Sequence, residues 1–473
     1  MKKILLVTLF TATVVLGANA QNVNIPDANF KTYLLANPLI NINSDTEIQV
    51  SEAAVFNVTI DCSSLNITDL TGIEAFTTLA SLNCSGNMLT SLDITANTAL
   101  TSLNCGNNSL ISLDVSANTA LTSLYCVSNS LSSLDVSSNT ALTNLNCGFN
   151  QLSSLDVSTN TALISLHCSN NILSNLDVSS NIALTSLNCN SNFLFSLDVS
   201  TNTALTNLDC ANNQLTSLDI SNTALTSLGC FNNQLTNLDV SANTALTQLY
   251  CSGNFLTSLD ISANTALTSL YCQNNQLSSL DVSANTALTS LYCQYNQLSS
   301  LDLTTNTGLT ILSCHMNSLS SLDLSSNTAL TELGCAHNQL TSLDVKNGNN
   351  SNMYFDATNN PNLTCIQVDD ADWSTNHWLV YVDPTSSFSE NCFLGGINDI
   401  SLEKISIYPN PTKDKINFSV PINVQLLSIT GQTVAEKNYT STLDLSSQPA
   451  GIYFIVSADK NGHVIERHKI VKE

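Results

Sequence analysis

Between Thr32 and Val345 the chain has no lysine and no arginine, although thirty acidic residues lie between Gln21 and Glu403. Over residues 21–403 only Lys31 and Lys346 oppose them, a net charge of −28, whereas residues 404–473 carry eight basic and six acidic groups. So anionic a body cannot neutralise phosphates. That argues against nucleic acid and anionic membrane as partners, and leaves cations, neutral glycans and basic protein surfaces. Beyond the first twenty residues no stretch of roughly eighteen uninterrupted apolar residues occurs, so no membrane span is expected. Gly-rich phosphate loops, His-Glu-x-x-His and Gly-x-Ser-x-Gly motifs are missing, and the six histidines are scattered. No catalytic residues are expected, and the pattern points to binding rather than catalysis.

What is present begins with a leader. Lys2 and Lys3 precede an apolar stretch from Ile4 to Leu16, and Ala18-Asn19-Ala20 supplies small residues before Gln21. Residues 1–20 read as a secretory signal peptide, so the mature protein is expected to be soluble and exported through the inner membrane.

The rest of the chain is dominated by one unit of about twenty-one residues, Leu-x-x-Leu-x-Cys-x-x-Asn-x-Leu-x-x-Leu-Asp-φ-x-x-Asn-x-x, where φ is apolar. It recurs thirteen times between Leu79 and Val345, with cysteines from Cys84 to Cys335 spaced 21 residues apart except for one step of 20, from Cys210 to Cys230. A fixed period of this length predicts a solenoid, in which no unit closes a core alone and each stacks on its neighbours. Equivalent positions then lie about 4.8 Å apart, with parallel Cβ vectors that suit a column of buried free thiols better than disulfides. Cys62 reads as an earlier rung. Cys365 and Cys392 lie outside the period, flank a tryptophan-rich segment and are the expected disulfide pair.

Residues 21–60 read as an N-terminal cap. Phe30, Tyr33 and Leu34 suit one short helix that Pro38 should stop. Residues 61–346 form the repeat array, and residues 347–394 a C-terminal cap with the disulfide. There Asn347–Pro361 reads as an exit loop, and Trp373, Trp378, Tyr381 and Phe388 are expected to cover the last coil. Residues 395–404 are a linker.

The array resembles the leucine-rich repeat family. That resemblance implies a short strand at each Leu-x-x-Leu-x-Cys, and an inward asparagine, Asn87, Asn108, Asn129 and on to Asn338, bonding the backbone of adjacent coils. The second half of each unit nearly repeats the first, which leaves no room for an outer helix. The fold class expected is therefore an all-β-rich, almost helix-free solenoid. A small helical cap precedes it and an immunoglobulin-like β-sandwich follows.

That last domain, residues 405–473, alternates apolar strands and turns. Tyr408-Pro409-Asn410-Pro411, Gly451-Ile452-Tyr453-Phe454 and the basic tail with Lys469 and Lys472 resemble the C-terminal sorting domain of the type IX secretion system. The resemblance implies a small β-sandwich recognised by that machinery, a bacterium of the Bacteroidetes type, and a destination at the cell surface or outside.

Three polar features bear on ligands. Thirteen aspartates, Asp93 to Asp344, recur in the second half-unit and should form an outward column, whose stacked carboxylates repel by about 1 kcal/mol per pair even in water-like surroundings. Splayed rotamers, bonding to the Ser or Thr two residues on, or bound calcium could relieve this. Local bonding is the preferred answer. Asn41, Asn43, Asp45, Glu47 and Glu52 are spaced like oxygen donors of an EF-hand loop, but Thr46 replaces the glycine, and a polar cap loop is preferred to a calcium site. No other cofactor is expected. Cys314-His315 and Cys335-Ala336-His337 hint at a thiol–imidazole or zinc pair, yet inward sulfurs and outward rings should not converge.

The third feature is the variable band around each cysteine: the residue before it and the two after. Tyr125, His167, Tyr250, Tyr271 and Tyr292 precede cysteines, and Phe149, Phe231, Tyr295 and His315 follow them. All alternate with inward Leu and Cys, so they should share the solvent side of one sheet, with Tyr250, Tyr271 and Tyr292 stacked on three consecutive coils. An exposed aromatic stripe suits sugar rings or apolar protein side chains, while cross-strand stacking or drift are the plain alternatives. The function expected is that of a secreted or cell-surface adhesion and recognition protein, binding protein or glycan through its concave sheet. The alternative is a structural, calcium-stabilised surface-layer or matrix scaffold.

Overall fold

The computed structural model describes residues 21–221, 224–392, 405–458 and 464–473. The leader expected over 1–20 and the linker expected over 395–404 lie outside them. The chain divides into two compact units, 1–392 and 393–473.

The first unit is a parallel β-solenoid. Fifteen three-residue strands, from Thr59–Asp61 to Tyr354–Asp356, form one continuous parallel sheet in which each coil contributes one strand. Register is strict: Leu103 pairs Leu124, Leu124 pairs Leu145, and Asn83 pairs Asn104. The alternation of Leu and Cys inward with variable residues outward is what keeps it so, because a one-residue slip would turn the leucines to solvent. The opposite side of each coil is extended and turn-like over most of the array. Among the described residues this side pairs once in mid-array, by a single bridge from Asp198 to Asp219, and at the C-terminal end Ser321–Asp323, Ser342–Asp344, Cys365–Gln367 and Ser387–Ser389 form a second parallel sheet.

The interior is a stack of identical layers. In coil 100–120, Leu100, Leu103, Cys105, Leu110 and Val115 are wholly buried, with Leu113 close behind. Cys62 and every cysteine from Cys84 to Cys335 are buried free thiols. Burial is also what makes them inert: it lifts Cys105 and Cys147 to about 12, so no thiolate forms at neutral pH.

Two asparagine columns tie the layers together. Asn108 donates from Nδ2 to the carbonyls of Cys84 (3.0 Å) and Cys105 (3.1 Å), and its Oδ1 accepts the amide of Leu89 (3.0 Å). In the second half-unit, Asn118 donates to the carbonyls of Ile94 (3.0 Å) and Asn97 (2.9 Å). Backbone groups that the corners would orphan are thereby paired on the coil next door.

At the N-terminal end, Ala28–Leu35 is a helix whose first turn is capped by Asp27, with Oδ1 accepting the amides of Asn29 and Phe30. It buries Phe30 and Leu34 over the first coil and ends ahead of Pro38. A second, four-residue helix, Val50–Ala53, follows; Glu52 closes its capping box on Gln49.

At the other end the stacking outlasts the cysteine motif. The exit loop expected at Asn347–Pro361 instead contains the strand Tyr354–Asp356, paired with Glu332–Gly334. Phe355 and Ala357 take the inward Leu and Cys places, and Asn360 makes the ladder bonds to the Cys335 and Ala357 carbonyls. One further coil thus forms from a sequence that has lost the Leu and Cys of the signature but kept its asparagine and the inward alternation. Cys365 and Cys392 are joined by a disulfide. The helix Ala371–Trp378 lays Trp378 flat on Phe355 (ring centroids 4.4 Å, planes 16° apart) and edge-on to Trp373.

The second unit is a five-stranded antiparallel sheet. Its long strand Lys415–Ser428 pairs Ile407–Tyr408 through its first half, Gly451–Ala458 through its second and Thr433–Asp444 along most of its length. Ile416, Phe418, Leu426, Leu443, Ile455 and Ile470 pack into one core.

Candidate functional site

The solvent side of the long sheet carries the variable band. In each strand the central leucine points inward, so the residues on either side of it point outward. Tyr250, Tyr271 and Tyr292 fall at one register on adjacent strands. Their rings touch in sequence: Tyr250 meets Tyr271 edge-on at 4.9 Å between centroids, and Tyr271 meets Tyr292 at 4.4 Å with planes tilted 49°. Partial burial raises the phenols of Tyr250 and Tyr292 above their ordinary 10.0. Tyr271 and the Glu332 carboxylate add to the effect at Tyr292.

A second row lies at the turn after each cysteine. Two residues past Cys, the backbone is left-handed in coil after coil, and asparagine, glycine or serine fills most of these places. Phe149 (φ 52°), Tyr295 (φ 55°), Met316 (φ 53°) and His337 (φ 53°) break that rule with bulky side chains. Phe149 is 56% and Tyr295 48% exposed, so packing does not explain their choice. Tyr295 stands edge-on to His315 at 5.3 Å, and His315 Nδ1 lies 3.0 Å from Ser313 Oγ. Burial lowers the His315 imidazole below 6.5; Asp356 opposes the shift and His337 adds to it.

The nine aromatic and imidazole residues picked out by sequence share this sheet and its adjoining turn, but they do not form one cluster. Tyr250, Tyr271 and Tyr292 touch in a row, Tyr295 touches His315, and Phe231 lies on the coil before Tyr250. Tyr125, Phe149 and His167 sit on three consecutive coils nearer the N-terminal end, Tyr125 and His167 at the same register with Asn146 between them. Pattern reading of the sequence did not reveal the left-handed backbone under Phe149 and Tyr295. The preponderance of Asn, Gly and Ser at that place in the other coils was its only trace.

The 41–52 stretch is not arranged as an EF-hand loop. Glu52 is buried, with Oε1 accepting the amides of Ile42 (2.9 Å) and Asn43 (3.2 Å) and Oε2 that of Gln49 (2.9 Å). Asp45 Oδ1 takes the Glu47 amide, and its Oδ2 takes the side-chain amides of Asn43 and Gln49. Glu47 pairs with Lys31 at 2.8 Å, and Asn41 donates to the Leu35 and Asp45 carbonyls. The side-chain oxygens of Asn43, Asp45, Glu47 and Glu52 are turned to separate protein donors, Lys31 among them, while Asn41 Oδ1 meets none. Among the described residues no group of three or more His, Cys, Asp or Glu is placed to hold a metal.

The aspartate column is exposed, apart from half-buried Asp344 at its end, and bonded locally. Asp93 Oδ1 accepts the Thr95 hydroxyl (2.7 Å) and amide (3.0 Å), and these bonds hold the carboxyl below its ordinary 3.8. His315 and His337 lie outward while Cys314 and Cys335 are buried, so neither ring approaches a sulfur.

In the C-terminal unit the two ends of the recognised pattern come together. Asn410 Nδ2 donates to the Lys469 carbonyl (2.7 Å) and its Oδ1 accepts the Val471 amide (2.9 Å). Lys472 is buried with its ammonium on the Lys413 carbonyl, whereas Tyr408 and Lys469 are exposed. Pro409 and Pro411 flank Asn410, and Gly451 opens the strand that pairs Val464–Lys472.

Residues 406–473 match the model of a secretion system C-terminal sorting domain, and residues 244–285 that of leucine-rich repeats in two copies. Among solved structures, the functional domain of InlJ from Listeria monocytogenes, which includes a cysteine ladder, is 30% identical. The match covers 96% of this chain and 100% of that one, with a TM-score of 0.67. A leucine-rich repeat protein of Leptospira interrogans is 21% identical over 72% of this chain and 97% of its own, with a TM-score of 0.57. No curated protein matches the chain. Among the described residues, no helix is long and apolar enough to cross a membrane.

Proposed function

Because this chain belongs to the bacterial leucine-rich repeat proteins, and its type IX sorting domain sends it to the cell surface or the extracellular space, we propose that it is a non-enzymatic recognition protein. Its solenoid binds a protein or glycan through the concave sheet. The observation that carries this reading is the contrast between a near-invariant framework and the outward aromatics at one register, Tyr250, Tyr271 and Tyr292. Large amphipathic rings on a rigid sheet give contact area at low entropic cost, as recognition surfaces require. Tyr295, His315 and Phe231 extend that surface, and Tyr125, Phe149 and His167 form a second aromatic group on it. The sorting domain, with Tyr408 to Pro411, Gly451, Lys469 and Lys472, serves as the address read by the export machinery.

The test is attachment. With Tyr250, Tyr271 and Tyr292 all changed to Ser, the protein should lose adhesion to a panel of immobilised surface proteins and glycans while its melting temperature holds within a few degrees. If attachment survives and added chelator lowers the melting temperature, the scaffold reading replaces this one.

A further inference from the structure

Eight adjacent strands place one residue each at the register of the tyrosines: Asp209, Gly229, Tyr250, Tyr271, Tyr292, Ser313, Gly334 and Asp356. An aromatic wall three residues wide is therefore bounded on both sides by small residues, and beyond these by a carboxylate at each end. The two glycines leave space beside neighbouring polar groups that a side chain would fill. A Cβ at Gly229 would lie 3.0 Å from Asp209 Oδ1, and one at Gly334 would lie 3.6 Å from both His315 Nδ1 and Ser313 Oγ.

Both carboxylates are hydrogen-bonded only to uncharged groups. Asp209 accepts from the Asn190 side-chain amide (2.6 Å) and the Ala211 amide (3.2 Å), and Asp356 from the hydroxyl and amide of Thr358 (2.8 and 3.0 Å). All of these donors are neutral; among the described residues the one ion pair is Lys31 with Glu47, and Lys346 places its ammonium on the Glu390 carbonyl. Exposed Glu332 adds a third carboxylate on the strand next to Asp356, within electrostatic range of Tyr292.

Tyrosine faces attract ammonium and guanidinium groups as well as sugar rings. A neutral glycan would use the tyrosines but gain little from paired terminal carboxylates, whereas a basic polypeptide would use both. We propose that this band seats a cationic segment of a protein partner, laid across the strands. Its lysine or arginine side chains stack on Tyr250, Tyr271 and Tyr292, and its basic ends meet Asp209 and Asp356. Seven strand steps of about 4.8 Å separate the two carboxylates by about 34 Å, the reach of about ten extended residues. The proposal rests on the concave-sheet reading above and narrows its partner to one class.

The experiment measures fluorescence anisotropy of a labelled peptide of about twelve residues. It carries two arginines at each end and Gly, Ser and one central arginine between. The comparators are the same peptide with glutamate for arginine and a neutral cello-oligosaccharide. The purified protein should bind the arginine peptide alone, more weakly as salt rises. Asp209→Asn with Asp356→Asn should cost roughly tenfold in affinity and flatten the salt dependence. Tyr250→Ser, Tyr271→Ser and Tyr292→Ser together should cost about as much, and the three Tyr→Phe changes, which keep the rings and the fold, should stay within roughly twofold. Asp281→Asn, Asp302→Asn and Asp323→Asn, on the exposed aspartate column, should leave binding unchanged. No binding of the arginine peptide, or a loss confined to the column variant, overturns the proposal. Tyrosine-dependent binding of the oligosaccharide instead would leave the recognition surface standing and discard the cationic partner.

Discussion

Asn150 donates from Nδ2 to the carbonyl of Cys126 on the preceding coil (3.1 Å), and its Oδ1 accepts the amide of Leu131 from that same coil (3.0 Å). The bond runs both ways between layers, so removing the side chain orphans the buried Leu131 amide, while the Cys126 carbonyl keeps only the Asn129 side-chain amide (3.1 Å). Asn139, in the second column, donates to the Val115 and Asn118 carbonyls, but its buried Oδ1 meets no protein donor. Asn150→Ala should therefore destabilise by about 2–4 kcal/mol and Asn139→Ala by clearly less. Urea unfolding followed by circular dichroism orders the two, and equal losses would contradict the account.

The ladder thiols predict an alkaline limit to stability. In the fold Cys105 and Cys147 are pushed up to about 12 from an ordinary 9.0, because burial penalises the thiolate. The folded state holds these protons more tightly than the unfolded chain. Their contribution is thus complete below pH 9.0 and is lost as pH rises from there through about 12. Each thiol contributes a slope of up to about 1.4 kcal/mol per pH unit in that window, so melting temperature should fall steeply above pH 9. Cys147→Ala should make the fall measurably shallower. At pH 8 iodoacetamide should leave all the ladder sulfurs unmodified until the chain is unfolded.

Left-handed backbone under a bulky exposed side chain is costly, and it offers a test of whether Phe149 and Tyr295 are kept for binding. At that place Asn107, Asn170, Asn212, Asn232 and Asn274 adopt φ values between 51° and 55° with the residue type best suited to them after glycine. Phe149→Asn and Tyr295→Asn should each stabilise the protein by roughly 0.5–1 kcal/mol, read as a rise in urea midpoint. A loss of ligand attachment at the same time would mark the strain as serving recognition. A loss of stability would mean that the rings pack after all.

Legibility in the sequence followed the strength of the period. Where Leu, Cys and Asn recur, coil number, strand register and the inward thiols could be read directly, because one layer copied thirteen times leaves a single way to alternate inside and outside. The coil of Phe355, Ala357 and Asn360 was hidden because two of its three marker residues had changed type while keeping their direction. The oxygen-rich 41–52 run left two readings open, a polar cap loop and a calcium site, with the cap loop preferred. Spacing alone cannot distinguish carboxylates that converge on a cation from one, Glu52, that turns back to cap a helix of four residues. Asp209, Gly229 and Gly334 each precede a ladder cysteine and could be read in the row of the tyrosines, whereas Asp356, 22 residues past Gly334 on a coil without that cysteine, could not.

The C-terminal cap offers the last prediction. Its disulfide closes a segment of 27 residues from Cys365, in a strand of the second sheet, to Cys392, and the loop contains Trp378, which covers Phe355 of the last coil. Loop closure of that length restricts the unfolded cap by about 3.5 kcal/mol, more than most single contacts supply. Because each coil leans only on its neighbours, the effect should stay at this end rather than spread along the array. Cys365→Ser with Cys392→Ser should therefore speed amide hydrogen exchange in residues 333–390 by up to a few hundredfold. Exchange in the coils around Cys126 should be unchanged. Uniform acceleration along the whole solenoid would mean that its layers unfold as one cooperative body, and the picture of nearest-neighbour stacking would have to give way.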